Sequence, residues 1–175
     1  TNRTSRGFSL IESMTVMAVA GTLLGSAAPG FMALQDGKRL QGAAALVETE
    51  LQYARSLAVE RREAVRFTFG VGTGSGCYVI HTGSPGSCRC SAPDQPAVCT
   101  GNGAAVRTVV FTPADRLSIR TASSTFGFDP GTGTVTPTAT LKLSNPNAQT
   151  LHVVVNIMGR VRACSPNGVP GYRAC

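Results

Sequence analysis

Three groups of residues in this 175-residue chain could do chemistry. The first is Glu12, a lone carboxylate beside 23 uncharged, mostly apolar residues from Ser13 to Gln35. A run of that length can cross a bilayer as a helix, which needs about 20 residues. A carboxylate at its edge costs on the order of a few kcal/mol unless it is paired or reaches the interface, so Glu12 reads as functional. The second group is a set of late cations: Lys142, Arg160, Arg162 and Arg173, with no acidic residue after Asp129. In an extended segment Arg160 and Arg162 point to one face and Val161 to the other. Three arginines and Tyr172 on a stiff platform suit phosphate contacts with occasional stacking.

The third group is six cysteines. Cys164 and Cys175 can close a loop, which stabilises by roughly 3 kcal/mol in the chain-entropy model. That bridge would also hold Tyr172 and Arg173 near the arginine pair. Cys77, Cys88, Cys90 and Cys99, with His81 nearby, could in principle ligate a metal. Yet the chain has no Cys-x-x-Cys pair, and an exported thiol is normally oxidised. Bridges are therefore expected and no metal or other cofactor; six cysteines allow 15 pairings, and Cys77–Cys88 with Cys90–Cys99 is one local solution among those left open. Catalysis has little to draw on. The histidines are His81 and His152, no Gly-x-Ser-x-Gly elbow occurs, and Gly72-Thr73-Gly74-Ser75-Gly76 lacks the lysine of a phosphate loop. An enzyme is not expected.

These groups need elements to position them. About 140 residues remain once the apolar run is set aside, enough for one modest domain. The formal charge is +7, and Arg3 and Arg6 precede the apolar run with no acid beside them. The positive-inside rule then places residues 1–7 in the cytoplasm and the later residues outside. A cleaved secretory signal ending near Ala18-Val19-Ala20 is the competing reading, but the apolar run continues past it.

A long helix is expected from Phe8 to about Arg62, interrupted or kinked at Pro29-Gly30. Beyond Gly37, Leu40, Ala44, Val47, Leu51, Ala54 and Ala58 recur at helical spacing and should pack on a core. Glu48, Glu50, Arg55 and Glu60 take the other positions. After Arg62 the period changes to two, from Ala64–Phe69 through Arg160–Cys164, with turn residues such as Asp129-Pro130-Gly131 between runs. Residues 71–76 and 83–103 read as exposed loops flanking a strand at 77–82. The fold class is α+β: a long N-terminal helix on antiparallel sheets, sandwich-like. The divisions are 1–7, 8–35 (membrane and assembly helix) and 36–175, the last comprising helix 36–62 and β-rich 63–175.

The segment Gly7-Phe8-Ser9-Leu10-Ile11-Glu12 after a short basic leader, with Pro29 farther on, resembles the type IV prepilin motif. The rest resembles the GspH/FimT class of minor pilins and pseudopilins. Its marks are Leu51-Gln52-Tyr53-Ala54-Arg55-Ser56-Leu57-Ala58-Val59, the Phe126–Thr134 turn and Gly159-Arg160-Val161-Arg162. The cysteine-rich loop is an elaboration on that pattern. The resemblance implies that a prepilin peptidase cuts between Gly7 and Phe8 and methylates the Phe8 amine. It implies an inner-membrane protein with a periplasmic domain that joins other pilins or pseudopilins, Glu12 pairing with a neighbour's terminal amine. In FimT-like proteins a Gly-Arg-x-Arg motif is linked to DNA binding in natural transformation. That implies DNA as a partner for Arg160 and Arg162, with Arg173 and Lys142 beside them. The alternative is a structural minor pilin, or a type II secretion pseudopilin, that helps start or cap the fibre without binding DNA.

Overall fold

The computed structural model describes residues 9–70, 76–90 and 97–175. Helix α1 spans Leu10–Arg61. The chain divides into two compact units, 1–35 and 36–175. In the first, the carbonyl of Ser9 accepts from the amides of Glu12 and Ser13 at 3.0 and 3.2 Å, so α1 starts one turn before Glu12. Glu12 is exposed in the first turn, where the helix N-terminus favours a negative charge. Large apolar side chains such as Leu10, Met14 and Leu24 are exposed within this unit, and α1 is long and apolar enough to cross a membrane. The expected interruption at Pro29-Gly30 does not occur: the helical backbone runs through it. A proline removes one helical donor, a loss that the cooperative turns on either side can absorb.

In the second unit the expected stripe is the buried one. Leu40, Ala44, Val47, Leu51, Ala54 and Ala58 are fully buried. Glu50 departs from the sequence reading. It is buried, and its Oε1 accepts from Arg107 Nε at 3.1 Å. An amphipathic count sees helix positions, but it cannot see the strand that overhangs them.

The strands are β1 (Val65–Gly70), β2 (Cys77–Thr82), β3 (Cys88–Arg89), β4 (Val98–Cys99), β5 (Ala104–Val110), β6 (Ser118–Thr121), β7 (Thr125–Phe128), β8 (Val135–Thr136), β9 (Ala139–Ser144), β10 (Thr150–Val155) and β11 (Val161–Cys164). They form a first sheet ordered β5-β2-β1-β7-β8, a second ordered β11-β10-β9-β6, and the hairpin β3-β4. Every pairing in them is antiparallel. One core joins them to α1. Phe67, Tyr78, Ile80 and Phe126 come from the first sheet and Leu141, Leu143, Leu151, Val153 and Val155 from the second.

The outer faces of the two sheets differ. All of β2 is buried, although alternation directs only Tyr78, Ile80 and Thr82 to the face that meets the core. Cys77, Val79 and His81 face the other way and are buried against the segment that carries β3 and β4. So the 83–103 segment, expected to be an exposed loop, is in its described part a lid. Its bridges are Cys77–Cys90 and Cys88–Cys99, which correct the expected Cys77–Cys88 and Cys90–Cys99. The reason is the hairpin register, which sets Cys88 directly opposite Cys99 and leaves Cys90 free to reach β2. The stretch 71–75 lies outside the described residues.

Beneath the lid, His81 is enclosed. Its Nδ1 donates to the Thr82 carbonyl at 3.0 Å, which leaves Nε2 to accept from the Thr68 hydroxyl at 2.8 Å. Burial, with Arg66 adding repulsion, holds the His81 pKa below its ordinary 6.5. The unfolded chain therefore binds this proton more readily than the folded one. Stability is complete above about pH 6.5 and falls as pH drops below it, by at most about 1.4 kcal/mol per pH unit. Urea midpoints of the unit 36–175 are expected to be lower at pH 5.5 than at pH 7.5, and His81→Gln should flatten that difference. An unchanged difference in the variant would assign it to other groups.

Candidate functional site

Among the described residues, the second sheet carries no such lid. Leu141, Leu143, Leu151, Val153 and Val155 point to the core, so alternation turns Thr140, Lys142, Ser144, His152 and Val154 outward. Arg120 on β6 sits directly opposite Lys142 on β9, and Lys142 directly opposite His152 on β10. Arg162 on β11 sits opposite Val154 and so shares this face. Arg120, Lys142 and Arg162 are exposed. Among the described residues the ion pairs are Arg107–Glu50 and Arg116–Asp36, and neither involves this face.

Arg160 is also exposed, but it precedes β11. It belongs to a tight turn that begins at Asn156. The Asn156 amide donates to the Arg160 carbonyl at 3.1 Å, and the Arg160 amide donates to Asn156 Oδ1 at 2.9 Å. Gly159 makes the turn possible. Its φ is +70°, and a Cβ there would run into the carbonyl oxygen of Gly133 and against the Arg55 guanidinium. Gly133, at φ +64°, faces the same arginine. Thus the helix segment, the Phe126–Thr134 turn and the Gly159-Arg160 step, far apart in sequence, meet at Arg55. Asp129 fixes the middle part. Its Oδ1 accepts from the amides of Gly131 and Thr132 and from the Thr132 hydroxyl at 2.9 to 3.0 Å. Those bonds hold its carboxyl below the usual carboxylate range.

Cys164 is bonded to Cys175, and the tail lies along Ser165, whose amide donates to the Arg173 carbonyl at 2.8 Å. Cys164 sits opposite His152, so the bridge lies beside the cationic face. Arg173 is exposed on that tail. Tyr172 corrects the sequence reading. It packs against the core, and burial together with the Glu48 carboxylate raises its pKa. It is therefore not a stacking platform beside the arginines. His152 has its pKa lowered by partial burial and by Lys142, which favours the neutral ring at pH 7. The ligand-type atoms of His152, Cys164 and Cys175 cluster, but both sulfurs are spent in the bridge.

The sequence reading missed Arg120. Its signal was the alternation of Leu117–Thr121, which directs Arg120 away from Leu117 and Ile119. What it lacked was the β6–β9 register. Gly7 and Phe8 lie outside the described residues, and Glu12 is exposed and forms no ion pair among the described residues.

A long helix, apolar all round in its first part and packed on antiparallel sheets in its second, defines a pilin architecture. The chain belongs to the GspH family of minor pilins and pseudopilins: the model described as Type II transport protein GspH matches residues 43–159. The prokaryotic N-terminal methylation motif matches residues 2–28, which implies processing by a prepilin peptidase and assembly with other pilins. Among solved structures, the type IV minor pilin FimU of Pseudomonas aeruginosa is similar at TM-score 0.53 and 20% identity, over 75% of this chain and 96% of that one. The minor pseudopilin EpsH of the Vibrio cholerae Type 2 Secretion System is similar at TM-score 0.49 and 12% identity, over 74% of this chain and 99% of that one. Comparison with the curated proteins finds no match.

Proposed function

We propose that this minor pilin is mounted in a type IV pilus and binds DNA there without sequence preference, for uptake in natural transformation. The observation that carries the reading is the outer face of the second sheet with its turn and tail, where Arg160, Arg162, Arg173 and Lys142 are exposed and no acidic side chain follows Asp129. Phosphates are the chemistry such a surface selects, because base edges need built pockets and phosphates need only positioned charge. The protein would sit in the inner membrane with residues 36–175 in the periplasm. Cleavage between Gly7 and Phe8 would create the Phe8 terminal amine, and Glu12 would then pair with the terminal amine of a neighbour. The family description as a type II transport protein favours a second reading, a secretion pseudopilin without DNA.

The magnitudes are modest. Three phosphate contacts give a salt slope of about −2.7 for duplex DNA. Affinity for a single copy would be roughly micromolar or weaker, and several copies on one fibre would raise it through effective concentration. The test is a titration of the detergent-solubilised chain with a labelled duplex. The triple variant Arg160→Gln, Arg162→Gln, Arg173→Gln is expected to lose at least tenfold in affinity, roughly one decade being the least that three phosphate contacts supply. Undiminished binding by that variant would overturn the site, and absent binding by the parent chain would favour the pseudopilin reading.

A further inference from the structure

We infer that the phosphate-binding surface crosses the whole second sheet, with Arg120 on β6 as its far end. The inference rests on the DNA-binding reading and extends it to a residue outside the C-terminal motif. Its ground is a cross-strand pair that works against the fold. Arg120 and Lys142 are directly opposite on one face of neighbouring strands, both exposed. Like charges so placed are destabilising. The two ion pairs among the described residues lie elsewhere, so no described carboxylate is within ion-pair distance of this pair. An anion from outside would relieve it.

The register then sets the path. Arg120, Lys142 and His152 occupy one lateral row, and the row ends at Cys164 with its bridged tail. Neighbouring strands are about 4.8 Å apart, so β6 to β11 spans about 14 Å. Arg162 lies two residues along β11 from the end of that row, and Arg160 two farther, so the cations trace a diagonal across the sheet. On this face the Arg120 row runs through Lys142 and His152, and the neighbouring row runs from Thr140 through Val154 to Arg162. A phosphate backbone laid over the strands can reach Arg120 at one end and the arginine motif at the other.

The experiment uses the full chain in detergent and a labelled duplex, titrated over a series of sodium chloride concentrations. Each phosphate contact contributes about 0.9 to the slope of log K against log salt. Arg120→Gln is therefore expected to reduce the slope by about 0.9 and the affinity by about fivefold near 0.15 M salt. Arg120→Lys should keep most of both. Arg89→Gln, which removes an exposed cation from the lid over the other sheet, should leave the slope unchanged. An unchanged slope in Arg120→Gln, with binding still lost in the triple arginine variant, would overturn the inference and leave the DNA-binding reading standing. Equal losses in Arg120→Gln and Arg89→Gln would overturn it as a mere net-charge effect. No binding by the parent chain would overturn both.

Discussion

Glu12→Ala is expected to leave the protein in the membrane and remove it from fibres. The argument begins with where the carboxylate sits. Glu12 is exposed in the first turn of α1 and has no partner in its own chain among the described residues. On the processing proposed above, the Phe8 amine becomes a cation one helical turn away. In a bundle of such apolar helices, each amine would meet a neighbour's carboxylate and both would leave water. Removing one member of a buried pair costs about 3–5 kcal/mol, chiefly because the other charge stays behind unpaired. At about 1.4 kcal/mol per tenfold, each subunit contact would weaken by roughly two to four orders of magnitude. Membrane fractionation should show normal anchoring, because the apolar run is untouched. Sheared fibres probed for the subunit should show none. Wild-type amounts of Glu12→Ala in the fibre fraction would sink the pairing proposal.

Gly159→Ala is the second large effect, and it acts on stability. A left-handed backbone costs a non-glycine residue roughly 1–2 kcal/mol. The added methyl also meets the Gly133 carbonyl and the Arg55 side chain. Overpacking of this kind costs typically about 1–3 kcal/mol, more when the obstacle is backbone. The sum is about 2–5 kcal/mol, which lowers the melting temperature of a unit of this size by roughly 10 °C. Arg160→Gln next door should leave the melting temperature alone, since that side chain is exposed and makes no bond among the described residues. Circular dichroism melts of the unit 36–175 would compare the two. A Gly159→Ala variant that melts with the parent would show that the two turns do not need to touch.

The legible parts of this molecule were those set by local period. The Leu40–Ala58 stripe follows from helical spacing and the strands β9 and β10 from alternation, and burial obeys both. The lid was not legible. Two-residue strands such as β3 and β4 carry no period, and their place depends on bridges between cysteines. The same holds for Glu50 and Tyr172, polar-ended residues drawn inward by neighbours distant in sequence. At the candidate site, Arg160 and Arg162 stood out because two arginines flank a valine. Arg120 did not, because only register brings it beside Lys142.

A domain lidded on one sheet and bare on the other is single-sided, like adhesive tape. The cations of the second sheet, Arg120, Lys142 and Arg162, share one face of it. For any copy held in a row of copies, the angle to which it is turned about its own axis then decides whether that charge meets water or a neighbour. Azimuth, more than the number of arginines, becomes the quantity that sets how much of this surface is on offer.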